Sequence, residues 1–169
     1  MEKELPVRKH RRLKNYDYNS DGAYFITMCV EGRHEMLGQI VERDAFGAPF
    51  VELSEYGKII CQEIEETHLH YKNVIIEKFV VMPNHVHMII AIENIHGNVA
   101  PRASRPTSAL IPNVIGVMKR KTNKKFGFSI WQDSYHDHII RDEEDYRVRW
   151  QYIENNPAKW AEDDYYVKK

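Results

Sequence analysis

The sequence predicts a single α+β domain in which helices cover an antiparallel or mixed sheet. Three observations carry that expectation. Short apolar runs of strand length alternate with longer segments of helical spacing, in the order strand, uncertain pair, helix, strand, strand, helix, strand, helix. With 169 residues, 43% of them hydrophobic and 29% charged, the chain is long enough for one substantial core and short for two equal ones. No internal repeat is evident, and no apolar stretch approaches the length that crosses a bilayer.

The first element is the run AYFITMCV at 23–30, read as a strand after the turn-forming YDYNSDG. Short apolar pieces at 36–41 and 50–53, separated by glycine and proline, fit either a hairpin or an ordered loop. From Ser54, a plausible N-cap, helical spacing places Ile60, Ile64 and Thr67 or His68 on one face, which predicts a helix over 54–70. The runs VIIEKFVVM at 74–82 and HVHMIIAI at 85–92 read as antiparallel neighbours turning at Pro83 and Asn84. Residues 93–107 lack periodicity and read as a mobile loop. A helix is expected from about Ser108, with Ile111, Ile115 and Met118 as its apolar stripe. A short strand or edge follows within FGFSIWQDSYHDHIIR. The last helix runs from about Asp142 to Asn156, with four acidic residues in its first turn and Pro157 as its stop.

Charge and cysteine content narrow the function classes. Lysine and arginine total 24 against 25 aspartates and glutamates, a net charge of -1, which argues against indiscriminate polyanion binding. The basic residues instead gather in RKHRRLK at 8–14 and in KRKTNKK at 119–125. Two cysteines, Cys29 and Cys61, exclude a disulfide-dense secreted scaffold. With no apolar signal run after the basic opening, the expectation is a soluble, cytoplasmic protein without a membrane partner.

The sharpest chemical feature is His85-Val86-His87. On a strand, residues i and i+2 share a face, so both imidazoles project together while Val86, Met88 and Ile90 point the other way. That pattern is a two-ligand half-site for a divalent metal, with Mn²⁺, Zn²⁺ or, alongside oxygen ligands, Mg²⁺ as occupants. The plainer alternative, two histidines hydrogen-bonded to neighbours, stays open at this point. His136 and His138 repeat the spacing, but their polar surroundings suit an exposed edge, where His138 would serve as a phosphate contact or outer-shell donor. On the last helix Tyr152 and Asn156 share a face beside the apolar stripe Tyr146, Trp150 and Ile153. A tyrosine beside a metal can attack a phosphodiester, and Asn156 can donate an oxygen to that metal.

Taken together and in order, YDYNSDGAYFITMCV, FVVMPNHVHMII, WQDSYHDHIIRDEEDY and YIENNPAKW resemble the IS200-like tyrosine transposases, in particular their REP-associated relatives within the HUH single-strand nucleases. The resemblance spans roughly residues 11–160. It implies an RRM-like (ferredoxin-like) sandwich with a central antiparallel sheet, a basic N-terminal arm at 1–22, a catalytic domain at 23–160 and a C-terminal tail at 161–169. It implies His85 and His87 as metal ligands and catalytic residues, Tyr152 as the nucleophile, Asn156 as a further ligand, and Mg²⁺ or Mn²⁺ as cofactor. The implied reaction cuts and rejoins single-stranded DNA near a hairpin through a 5′-phosphotyrosine, by a monomer or a homodimer.

DNA contacts are then expected from Arg8, Lys9, Arg11, Arg12 and Lys14, from Lys119, Arg120, Lys121, Lys124 and Lys125, and from His138 and Arg141. Tyr16, Tyr18, Phe126, Phe128 and Trp131 are available for base stacking, with core packing the preferred reading for Phe128 and Trp131. Two other classes of function compete: a hairpin-binding protein without catalysis, and an RNA-binding or RNA-processing protein on the same scaffold.

Overall fold

A computed structural model describes residues 22–42, 47–93 and 110–168. The basic opening at 8–14, Tyr16, Tyr18 and all but Glu93 of the expected loop at 93–107 lie outside these residues.

The extended run after the opening segment is β1 (Gly22–Cys29). The two short apolar pieces resolve into a hairpin, β2 (Gly38–Val41) and β3 (Phe50–Leu53), paired from Gly38 opposite Leu53 to Val41 opposite Phe50. The expected helix at 54–70 divides in two, α1 (Glu55–Glu65) and α2 (Thr67–His70). Ser54 caps α1, its hydroxyl accepting the Gly57 N–H. Glu66 leaves helical ψ, at -3°, and the Thr67 hydroxyl donates to the Glu63 carbonyl there. Gly57 is required by contact: a Cβ there would stand 2.1 Å from the Leu37 carbonyl oxygen, so the start of α1 lies directly against the chain entering β2.

The remaining elements follow the expected order: β4 (Val74–Val81), β5 (His85–Ile92), α3 (Leu110–Phe126), β6 (His136–Ile140) and α4 (Glu143–Asn155). Gly127, at φ +81°, ends α3 with its N–H on the Asn123 carbonyl. Asp142 caps α4 by accepting the Asp145 N–H, and Glu143, Glu144 and Asp145 fill the first turn, where negative charge meets the positive end of the helix. After Pro157 a 3-10 turn, Pro157–Glu162, leads into a short extended strap.

The main sheet has strand order β4-β5-β1-β6, and every pairing is antiparallel. Its two faces differ in cover. Tyr24, Ile26, Met28, Val86, Met88 and Ile90 form one face, packed with Ile60 and Ile64 of α1 and Ile111, Val114, Ile115 and Met118 of α3. The opposite face carries Phe25 and Ile89, which pack with Ile153 of α4 and, at its margin, Tyr146 and Trp150. The stripe expected on the last helix therefore does seat it on the sheet, and burying each such side chain contributes about 1.5–3 kcal/mol. Burial on both faces leaves β5 with no exposed residue, and β5 is the strand that bears the histidine pair.

Candidate metal and nucleophile site

Register builds the site. Across β1 and β5, Cys29 stands opposite His85 and Thr27 opposite His87; across β1 and β6, Thr27 stands opposite His136 and Phe25 opposite His138. All four histidines thus share the face that α4 and the strap cover. His85 and His87 are 0% and 1% exposed, at a depth where an imidazole needs partners for both nitrogens. Each has one. His87 Nδ1 is 2.8 Å from the Thr27 hydroxyl, and His85 Nδ1 is 2.8 Å from Asn84 Oδ1.

The Asn84 amide is fixed in orientation, because its Nδ2 donates to the carbonyls of Arg33 and Tyr165 at 3.2 and 2.9 Å. Its oxygen must then accept from His85 Nδ1–H, which leaves the lone pair of His85 on Nε2. Among the described residues, both Nε2 atoms are buried without a hydrogen-bond partner, and so is Oδ1 of Asn156. Asn156 donates its Nδ2 to Asp163 Oδ2 at 2.7 Å. Asp163 Oδ2 also accepts from the Tyr152 hydroxyl at 2.9 Å and lies 3.9 Å from His87 Nε2. Single ligand atoms of His85, His87 and Asp163 lie within 4.8 Å of one another, a spacing that suits one ion.

The donor set passes a chemical test for a divalent metal. Ring nitrogens of His85 and His87 group with the Asp163 carboxylate, to which the Asn156 amide is bonded, and buried polar atoms without a partner, such as both Nε2 atoms and Asn156 Oδ1 among the described residues, are rare unless a cation or water satisfies them. Electrostatics agree. Burial, then the neighbouring His87, holds His85 well below the ordinary imidazole range. Burial lowers His87 as well, against the opposing pull of Asp163, so both rings are neutral at neutral pH. Asp163 keeps its charge despite burial, because His87, Asn156 and the Tyr165 N–H face it, and its carboxyl sits far below the usual range. Burial and then the Asp163 carboxylate push the Tyr152 phenol upward, so Tyr152 is held protonated.

Aromatic rings pack the site. Tyr152 meets His87 edge-on at 5.1 Å between centroids, Phe25 stacks on His87 at 5.2 Å, and Tyr165 lies 4.7 Å from His85. A cleft of about 460 Å³ lined by Gln151, Tyr152, Asn155 and Lys159, among others, opens onto the nucleophile candidate from solvent, and Tyr152 is 38% exposed.

His85, His87, Tyr152 and Asn156, singled out from the sequence, are thus brought together within one chain. Asp163, Asn84 and Thr27 were not read as site residues. Asn84 reads as a turn residue, Thr27 enters only through strand register, and Asp163 lies seven residues past Asn156 in a segment without periodicity. Residues 161–168, expected as a tail, carry Asp163 and Tyr165 onto the histidines.

The other expected contacts are dispersed. The apolar stripe of α3 packs on the far face of the sheet from the histidines, and the lysines of KRKTNKK are drawn to different partners. Lys119 Nζ donates to the carbonyls of Gln132 and Ser134, and burial brings it down to about 8. Lys125 and Lys121 stand 2.6 and 3.4 Å from the buried Glu63 carboxylate. Arg120 and Lys124 are exposed. His138 Nε2 is 2.7 Å from Asp145 Oδ2, while Arg141 is exposed at the end of β6. Trp131 is buried, with its indole N–H on Thr122, whereas Phe128 is 47% exposed and only flanked by Tyr56 and Phe126.

No family model matches the chain. An uncharacterized protein of Haemophilus influenzae is 34% identical over 174 residues, covering 95% of this chain and 93% of that one. The chain belongs to that protein's family. A proposed REP-associated tyrosine transposase of Haemophilus influenzae is 22% identical over 152 residues, covering 87% and 77% of the two chains. Among solved structures, a REP-associated tyrosine transposase bound to a REP hairpin superposes with a TM-score of 0.64 at 21% identity, over 88% of this chain and 73% of that one. The α+β fold, with helices flanking an antiparallel sheet, is therefore shared with that transposase. Among the described residues no helix is long and apolar enough to cross a membrane.

Proposed function

We propose that this protein is a divalent-metal-dependent DNA transesterase that nicks and rejoins single strands beside hairpins, with Tyr152 as nucleophile. The observation that carries the reading is the grouping of His85 and His87 with the Asp163 carboxylate, which also holds the Tyr152 hydroxyl and the Asn156 amide, while both Nε2 atoms and Asn156 Oδ1 are buried without a hydrogen-bond partner among the described residues. The strand–helix–strand–strand–helix–strand succession and the order β4-β5-β1-β6 support an RRM-like, ferredoxin-like scaffold, and the similarity to REP-associated transposases supports the substrate class.

In this reading the Tyr152 oxygen attacks phosphorus, forming the Oη–P bond as the P–O3′ bond breaks. Tyr152 loses its proton, the departing 3′ oxygen gains one, and the 5′ phosphate stays on the tyrosine for reversal by a 3′-hydroxyl. Mg²⁺ or Mn²⁺ held by His85, His87, Asp163 and Asn156 would supply positive charge for the phosphate oxygens. Asp163 orients the phenol through its hydrogen bond, and Phe25 with the His87 ring wall the nucleophile on the sheet side. In this reading every group of the site comes from one chain. Arg8, Lys9, Arg11, Arg12 and Lys14 of the arm, Arg120, Lys124, His138 and Arg141 are the phosphate contacts in this reading. The catalytic domain at 23–160 is completed by the strap that follows it, and with two unpaired cysteines its setting is the cytoplasm.

The test is Tyr152→Phe incubated with labelled hairpin-bearing single strands and Mn²⁺. Covalent protein–DNA product should disappear while strand binding is kept, and EDTA should abolish product from the unaltered protein. Equal product from the variant, or product in EDTA, overturns the reading.

A further inference from the structure

Asp145, Arg149, Tyr152 and Asn156 are spaced i, i+4, i+7 and i+11, so they form one polar stripe along α4 beside the buried stripe of Tyr146, Trp150 and Ile153. The lower half of that stripe is the site already described. Arg149 stands one turn before Tyr152. Its Nε donates to Asp145 Oδ1 at 3.2 Å, and its guanidinium carbon lies 5.4 Å from the centroid of Phe25, the ring that stacks on His87 and meets Tyr152 at 5.9 Å. Asp145 is itself anchored: its second oxygen is held by His138 at 2.7 Å and by the Arg141 N–H.

These contacts engage one edge of the guanidinium and one face. The two terminal nitrogens, Nη1 and Nη2, have no hydrogen-bond partner among the described residues, and the side chain is 32% exposed. Arg147, in contrast, turns its terminal nitrogen to Glu144, so the two arginines of this helix are used differently. A guanidinium oriented through Nε and left with its terminal nitrogens open is shaped for a planar or tetrahedral oxyanion, and phosphate oxygens match it in paired hydrogen bonds.

We propose that Arg149 binds a phosphodiester of the strand presented to Tyr152. The claim rests on the reading that Tyr152 acts on a DNA strand. Three residues of α-helix rise about 4.5 Å, which puts the guanidinium level with the phosphate under attack or the one next to it. Asp145 and Phe25 hold the cation in place, so the phosphate meets a receptor already ordered before it arrives.

The experiment measures strand binding in EDTA, so that it does not depend on the chemical step. A labelled hairpin oligonucleotide with single-stranded flanks is titrated with the unaltered protein, R149A, R149K and the exposed-arginine control R147A, across a range of salt. R149A should weaken binding about tenfold and lower the slope of log affinity against log salt by about 0.7, the single-strand contribution of one phosphate contact. R149K should recover part of the affinity, and R147A should match the unaltered protein. A scan of single neutral methylphosphonates should find one position near the cleavage point that weakens the unaltered protein to the same extent and leaves R149A unchanged. Wild-type affinity and slope in R149A, or losses that add at every methylphosphonate position, overturn the proposal, as does a complete lack of strand binding by the unaltered protein. Thermal melting confirms that R149A is folded. Covalent product from the unaltered protein with Mn²⁺ is scored separately: its absence beside an Arg149-dependent affinity refutes the transesterase reading and not the phosphate contact.

Discussion

Two histidine pairs of identical spacing lie on the same face of the same sheet, on the strands either side of β1, and they have opposite characters. His85 and His87, on interior strand β5, are sealed beneath α4 and the 157–168 strap, their Nδ1 atoms satisfied and their rings grouped with the Asp163 carboxylate. His136 and His138, on edge strand β6, lie open to solvent to different degrees, and His138 spends a ring nitrogen on Asp145. Spacing sets the face on which a side chain projects. What covers that face decides whether an imidazole is sealed beside a carboxylate in a candidate metal site or left as a part-exposed hydrogen-bond partner.

The comparison can be broken most directly at the ligands. His85→Ala or His87→Ala should weaken Mn²⁺ binding, measured by calorimetry, by more than about 100-fold, whereas the double replacement of His136 and His138 by alanine should leave it within about twofold. A comparable loss from the β6 pair would erase the distinction. The orienting residues differ in the same sense: Asn84→Ala frees the His85 ring and should cost about 10- to 100-fold in metal affinity, with Asp145→Ala as the neutral counterpart.

Acid should separate the pairs again. The folded-state pKa values of His85 and His87 lie below the value near 6.5 that both take when unfolded. Between those limits the unfolded chain binds more protons, so stability of the metal-free protein is fully present above about pH 6.5 and is lost as pH falls below it. Melting temperatures across that range should fall, and His85→Gln should flatten the decline; an unchanged profile in that variant contradicts the assignment. The smallest effect is expected from His138→Ala, whose part-exposed hydrogen bond with Asp145 contributes less than about 1 kcal/mol by chemical denaturation.

Much of this arrangement is legible in the sequence where it depends on local period. Alternation places β1, β4 and β5 within a residue or two, and the acidic first turn and Pro157 stop bound α4. The two-residue spacing of His85 and His87 and the four-residue spacing of Tyr152 and Asn156 identify their shared faces without any structure. What sequence reading left open depends on distant partners. The β2–β3 pair needs a register that four-residue strands do not announce. The break at Glu66 falls in a segment whose helical period is otherwise intact. Asp163 reaches the histidines through a turn and a strap with no repeating pattern. The clustered charge of 119–125 reads as one basic surface, yet Lys121 and Lys125 turn to Glu63 on α1 and Lys119 to the chain before β6, contacts that composition does not encode.

Mass-spectrometric mapping of the nucleotide-linked peptide, after incubation with hairpin-bearing single strands and Mn²⁺, tests the central claim most directly. The account predicts a 5′-phosphate linkage on Tyr152 and on no other of the ten tyrosines. A linkage on another tyrosine, or strand cleavage with no linked peptide, would contradict it.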